Sequence, residues 1–485
     1  MRTVLLNRWT PYALYLLLAA VFWNFYAVQL NSDGISYLTI AREYAIGQWS
    51  AALNAYWSPL FSWLIAGALA LHAPGLQSAR LILLASGLTG IAALRRYSLQ
   101  FCLARDIRAG LAIIAAPVFA YFAMKVVTPD CIALTLLLLY FNVTCANQSI
   151  RRRNSFYAGF LGALLYLTKA YSFVFVAAHL TLTAALRLRL SRQCSSPREI
   201  VSAYSISLAS LLLFSGPWLI LIGIKTGHPI LSTAGSYNYA LAHSGRSGHP
   251  MLNDGFFPPP NPDSVSVWED PSRMSMPRPR KGQMSIIGEN LLQFAQYTGS
   301  ASIFSPFILM IFAWMTLSRW RRREPVLCWA CLLVAYLLYP LGYIPILIDH
   351  RYVWIEDLLL LLMAGCILDA VRTRVPAIAA MIIGLSFWCV PVTVLIVHRN
   401  DFRDLDALVQ SLRPLHLNGN IASNARWDDS QYLCYELGLR YYGVPARNET
   451  QPAIDKDLEK NNIKHVFLWS GPKLLAVSDV GGGRK

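Results

Sequence analysis

Residues 203–224 read AYSISLASLLLFSGPWLILIGI, a stretch with no charged side chain. Arg187, Arg189, Arg192 and Arg198 precede it, and Lys225 and a polar stretch follow it. A bilayer core takes about 20 apolar residues of helix, so the segment reads as a membrane span. Its arginine-rich flank marks the cytoplasmic end, because basic loops are held on that side. Composition agrees for the whole chain: of 485 residues, 55% are hydrophobic and only 14% are charged. Soluble proteins average about 45–50% and 25%, so a string of soluble domains is excluded. The net charge of +16 would in a soluble protein suggest nucleic acid as a partner. Here it sits in short clusters between apolar runs, such as Arg151-Arg152-Arg153 and Arg321-Arg322-Arg323, and marks topology instead; no nucleic-acid partner is expected.

Working outward from 203–224, the basic loops orient the other spans. Residues 12–30 form the first, with Arg2 and Arg8 inside and no small-residue cleavage site after it, so it is expected to be retained. Residues 31–58 form the first outer loop, where Ile35, Leu38, Ala41 and Ile46 recur at helical spacing, as in a helix lying along the membrane surface. Residues 59–71 and 81–94 together make one net crossing, with 59–71 re-entrant or part of a broken helix. Spans at 110–127, 129–146, 156–168 and 171–186 then alternate between the faces. After 203–224 comes a large outer loop, 225–300, with Pro258-Pro259-Pro260. Spans at 302–317, 326–344, 353–370 and 377–397 complete about eleven crossings. The expected architecture is mainly α: a polytopic transmembrane bundle over 1–398 with outer-face surface helices, then a small soluble α/β domain over 399–485 on the outer face. In the tail, 420–423 and 465–469 read as strands and 430–442 as a helix ended by Gly443. The nine cysteines make no disulfide framework. Cys328 and Cys331 have the spacing of a redox or zinc motif but lie in an apolar stretch, where inert buried thiols are expected.

Several polar residues fall on the outer face under this topology. Asp33 follows the first span in Asn31-Ser32-Asp33-Gly34, and its ordinary structural role would be to cap the helix beginning at Gly34. Asp130, in Thr128-Pro129-Asp130, has an equally ordinary role in a helix's first turn. Lys169 sits between two apolar stretches with no evident structural partner, and would otherwise be a snorkelling interfacial lysine. Arg351, within His350-Arg351-Tyr352, offers a fork suited to phosphate oxygens. An outward-facing carboxylate, a second acid and two cations at membrane depth suit an anionic lipid headgroup held beside a general base. Asp33 and Asp130 also leave open a divalent cation as cofactor.

Residues 31–64, NSDGISYLTIAREYAIGQWSAALNAYWSPLFSWL, resemble the first outer loop of the GT-C glycosyltransferases. The nearer likeness is to bacterial relatives of protein O-mannosyltransferases and of the lipid A aminoarabinose transferase. Thr128-Pro129-Asp130, residues 162–169 (GALLYLTK), His350-Arg351-Tyr352 and residues 427–443 (WDDSQYLCYELGLRYYG) extend it in order over most of the chain. That family often has a second acid beside the first, where this chain has Gly34. The resemblance implies a multi-pass enzyme of the cytoplasmic (inner) membrane working in the cell envelope. It would move a hexosyl or pentosyl group from a polyprenyl-phosphate carrier to a lipid, glycan or protein acceptor on the outer face, with inversion. Asp33 would be the base, and Asp130, Lys169, His350, Arg351 and Tyr352 would bind substrate. The rival readings are a transporter or flippase of a lipid-linked or anionic solute, and a non-enzymatic partner of an envelope complex. Transporters place ionisable groups at the midplane or show repeat symmetry, and neither is evident here.

Overall fold

The computed structural model describes residues 7–145, 151–190, 196–244, 250–261, 264–266 and 281–480. Arg2, Arg192, Cys194 and much of the large loop lie outside the described residues. The chain is mostly helical, as long apolar runs in a bilayer require. The first helices are α1 (Thr10–Tyr26), α2 (Ser32–Ala45), α4 (Leu60–Ala70), with the single turn Trp49–Ala52 between them as α3, α5 (Gly75–Ser98), α6 (Arg105–Met124) and α7 (Asp130–Thr144). Then come α8 (Arg152–Thr168), α9 (Tyr171–Leu190) and α10 (Pro197–Thr226). Four helices are long and apolar enough to cross a membrane unaided: α6, α9, α10 and the helix running Gly75–Phe101. Two bent pairs raise that to six if each is one span. Shorter apolar helices, among them α4 and α7, complete a multi-pass membrane architecture. With its 11 residues, α4 is about 16 Å long, too short for a hydrocarbon core of about 30 Å.

The bent pairs have local causes. Ser302–Phe304 breaks the helix between Gln283–Ala301 and Ser305–Arg321, which meet at 93°. The expected single span at 377–397 is two helices, Ala377–Ser386 and Cys389–Val397, with a bend of 44° between the first and the helical run Cys389–Leu415. Pro391 explains that break: it has no N–H to donate and its ring crowds the carbonyl of Phe387, while Ser386 is held by Ser302 through a 2.6 Å hydroxyl contact. Helices α8 and α10 pack through small residues: Ser207 Oγ donates to Ser155 O and Ser210 Oγ to Phe156 O, both at 2.9 Å. Cys328 and Cys331 are buried in the helix Leu327–Leu338.

The tail forms a four-stranded sheet of Asn420–Ser423, Arg440–Tyr441, Ile463–Ser470 and Lys473–Asp479. Asn420–Ser423 is parallel to both Arg440–Tyr441 and Ile463–Ser470, and the last two strands form an antiparallel hairpin. The expected helix at 430–442 is instead Trp427–Leu437, stopped by Gly438 at φ +69. A left-handed glycine ends a helix where other residues would be strained, which frees Arg440–Tyr441 to pair as a strand. The large loop contributes Gly255–Phe256, which pairs antiparallel with Gly443–Val444. The tail is thereby stitched to the loop that precedes it by nearly 200 residues. Trp427–Leu437 packs on α2, so α2 is buried along most of its length rather than lying free along a surface.

Candidate functional site

Helix α2 begins where Asn31, in extended conformation, turns the chain after α1. The Asn31 Oδ1 accepts from Val127 N at 2.9 Å, pinning the start of α2 to the segment that leads into α7. Asp33 is thus the second residue of α2 and not its cap. Gly34 lies against that same segment: a Cβ there would sit 2.7 Å from Leu30 Cδ1 and 2.9 Å from Val127 Cβ. Packing leaves no space for a second acid beside Asp33.

Asp130 opens α7 directly after Pro129, and Thr128 Oγ1 donates to its Oδ2 at 2.6 Å. Lys169 ends α8 in extended conformation and its Nζ forms an ion pair with Asp130 Oδ1. Arg351 lies in the short 3₁₀ turn His350–Val353, which Asp349 caps by accepting from Arg351 N at 3.0 Å. Its Nη1 is 2.5 Å from Asp33 Oδ2. The expectation that Lys169 lacks a structural partner is corrected here: each cation has an acid. Four segments far apart in sequence converge, and Tyr352 joins the two pairs, with Lys169 Nζ 4.0 Å and Arg351 Cζ 5.2 Å from its ring centre. Cations are held at such distances by the ring quadrupole. His350 turns elsewhere: its ring stacks on Tyr297 at 5.1 Å and its Nε2 faces Asp357 Oδ2 at 3.4 Å.

Sequence reasoning missed the aromatic surround. Tyr37, one helical turn after Asp33, is buried and shares the field of Asp33, Asp130 and Arg351; its spacing of four from Asp33 was the available signal. Tyr343 stacks on Tyr352 at 5.3 Å and packs against Tyr171, whose hydroxyl donates to Tyr339 O at 2.8 Å. No sequence pattern links those residues.

Burial works against the charge on Arg351, but Asp33, Tyr352, Asp130 and Asp349 outweigh it and hold the guanidinium charged. Burial also pulls Lys169 below the ordinary lysine range, and Asp130 offsets this only in part. Burial, then Asp130 and Asp33, push the Tyr37 phenol up and keep it neutral. The site therefore presents two carboxylates, two cations and a neutral phenol, with side-chain exposures from 3% for Asp130 to 20% for Arg351. Such a set can accept a proton at Asp33 and hold phosphate oxygens at Lys169 and Arg351. Both acids are already compensated by cations, and among the described residues no group of three or more His, Cys, Asp or Glu could hold a metal ion.

No family model and no curated protein sequence matches the chain. Solved structures do, and they define the architecture as the GT-C fold. One is ArnT from Cupriavidus metallidurans bound to undecaprenyl phosphate, similar over 94% of this chain and 90% of its own at 13% identity, with a TM-score of 0.58. Another is the Archaeoglobus fulgidus oligosaccharyltransferase AglB, with an inhibitory peptide and a dolichol-phosphate, at 10% identity, 95% and 70% coverage and a TM-score of 0.55. The same archaeal oligosaccharyltransferase with zinc and sulfate matches at 10% identity, 94% and 67% coverage and a TM-score of 0.52.

Proposed function

We propose that this protein is an inverting glycosyltransferase of the cytoplasmic membrane that uses a polyprenyl-phosphate-linked sugar donor. The observation that carries the reading is the convergence of the Asp33–Arg351 and Asp130–Lys169 pairs around Tyr352. The GT-C fold, shared with a structure that holds undecaprenyl phosphate, supports it. In this reading the carrier phosphate lies between Lys169 and Arg351, whose charges stabilise it as it leaves the anomeric carbon. Arg351 has five donors in a fixed fork, so it can engage phosphate while keeping one N–H on Asp33. Drawing the guanidinium toward phosphate weakens its hold on Asp33 and raises that carboxylate's proton affinity. Asp33 then takes the proton of an acceptor hydroxyl as its oxygen attacks the anomeric carbon from the face opposite the departing phosphate. Asp130 fixes Lys169, and Tyr37 offers a neutral hydrogen bond to the sugar or the acceptor. The proposed topology puts this site, the large loop and the tail domain on the outer face, with about eleven crossings.

The test is binding of undecaprenyl phosphate to the purified protein in lipid nanodiscs, followed by native mass spectrometry. Wild type should retain the lipid, and Lys169→Gln or Arg351→Gln should weaken it by roughly 10-fold or more. Wild-type retention in both variants would remove the phosphate role. Comparing glycolipid and glycoprotein profiles of intact cells with and without the protein then identifies the product.

A further inference from the structure

A second opening lies on another flank of α2. Leu38, Thr39 and Arg42 follow Asp33 by five to nine residues, about 7–14 Å further along the helix axis and on different faces. They border a cleft of about 540 Å³ where the bundle meets the tail domain. Arg42 and Gln77 come from the bundle; Asp406, Tyr435, Glu436 and Arg440 come from the tail. Two guanidinium groups face two carboxylates, so the wall has no net charge to select an ion. Arg440 Nε is buried and has no hydrogen-bond partner among the described residues, a cost normally met by a ligand or water.

This chemistry selects among possible occupants. Charged walls disfavour a lipid chain. A peptide binding by strand addition would need a free sheet edge, but Val265 covers the edge at Arg440–Tyr441, its carbonyl accepting from Tyr441 N at 2.6 Å. Sugar hydroxyls both donate and accept, and so need donors and acceptors together, which Arg42, Arg440, Asp406 and Glu436 supply. The half-buried Tyr435 adds a ring on which a pyranose can lie. The volume lies within the roughly 300–1,000 Å³ of sites for small ligands, enough to take a short saccharide.

We propose that this cleft binds the saccharide part of the acceptor, which makes the acceptor a glycan-bearing molecule. The inference rests on the glycosyl-transfer reading above for its biological sense, but the binding itself does not require transfer. Energy gained here, remote from the reacting atoms, would position the acceptor hydroxyl at Asp33.

Saturation-transfer NMR on the protein in nanodiscs tests this, with chitotetraose and maltotetraose as probes and tetra-alanine as the peptide control. At least one tetrasaccharide should bind wild type. Tyr435→Ala and Arg440→Gln should each weaken it about 10-fold, whereas Tyr435→Phe, which keeps the ring, should stay within about twofold. Failure of both tetrasaccharides to bind wild type, preference for tetra-alanine, or unchanged affinity in folded Tyr435→Ala and Arg440→Gln proteins would each overturn the proposal. Undecaprenyl phosphate retained by the same preparation would show that the cleft alone had failed; loss of that lipid would count against the transfer reading.

Discussion

An acid already paired with an arginine answers differently to substitution than a bare helix residue. Asp33→Asn removes the proposed base, so transfer should fall by about 10²–10⁴-fold. It also takes the carboxylate from a mostly buried guanidinium, so stability should drop by about 1–3 kcal/mol. A double-mutant cycle with Arg351→Gln separates the two effects. The double variant should lose less stability than the singles sum to, with transfer remaining at the floor. Melting temperature and transfer measured on all four proteins decide it, and full transfer by Asp33→Asn would end the base assignment. Lys169 gives an independent handle through pH. Its folded pKa lies below the ordinary lysine value because burial disfavours the charge. Between that lowered value and about 10.4, the unfolded chain binds more protons than the folded one. Stability should therefore rise with pH across this window, while transfer falls as the phosphate loses its cation. An alkaline pH series of both quantities checks the opposed signs; the two falling together would mean simple alkaline unfolding.

Helix α2 matters less for its own propensity than for what it is pressed against. Asn31 Oδ1 on Val127 N and the missing side chain at Gly34 fix Asp33 relative to Asp130. Gly34→Ala would put a methyl within 3.0 Å of Val127 O and Val127 Cβ, neither of which is a flexible side-chain end. The expected result is a stability loss of about 1–3 kcal/mol and a larger proportional loss of transfer, because a misplacement of about 1 Å can cost about 10²-fold. Unchanged kinetics at Gly34→Ala would show that α2 tolerates displacement and that Asp33 need not be held so closely.

The tail and the bundle share one interface, formed where Trp427–Leu437 meets α2 and where Gly255–Phe256 pairs with Gly443–Val444. The proposed topology makes this an outer-face assembly, with Arg151–Arg153 at the opposite side. In a background with the exposed Cys102 and Cys389 replaced, single cysteines at Arg152 and at exposed Lys456 test it. An impermeant maleimide should label position 456 but not 152 in intact cells; the reverse pattern would invert the topology and move the site to the cytoplasmic face.

Composition and hydropathy alone determined that this chain is a helical membrane protein with a small strand-bearing tail, because apolar runs in a bilayer have almost no alternative to helix. The short motifs around Asp33, Asp130, Lys169 and Arg351 also marked the residues that meet, since charged groups bordering apolar runs stand out against their surroundings. What the sequence did not contain was the pairing. Which acid meets which cation depends on helix packing between segments up to more than 300 residues apart, as with Asp33 and Arg351. Local pattern also misplaced the end of the tail helix, because the strand pairing of Arg440–Tyr441 with Asn420–Ile421 competes with helix only once the sheet exists. Tyr37, Tyr171, Tyr339 and Tyr343 read as ordinary core and interface aromatics until tertiary packing gathered them. The same holds for Gly34, whose lack of a side chain has meaning only against Leu30 and Val127.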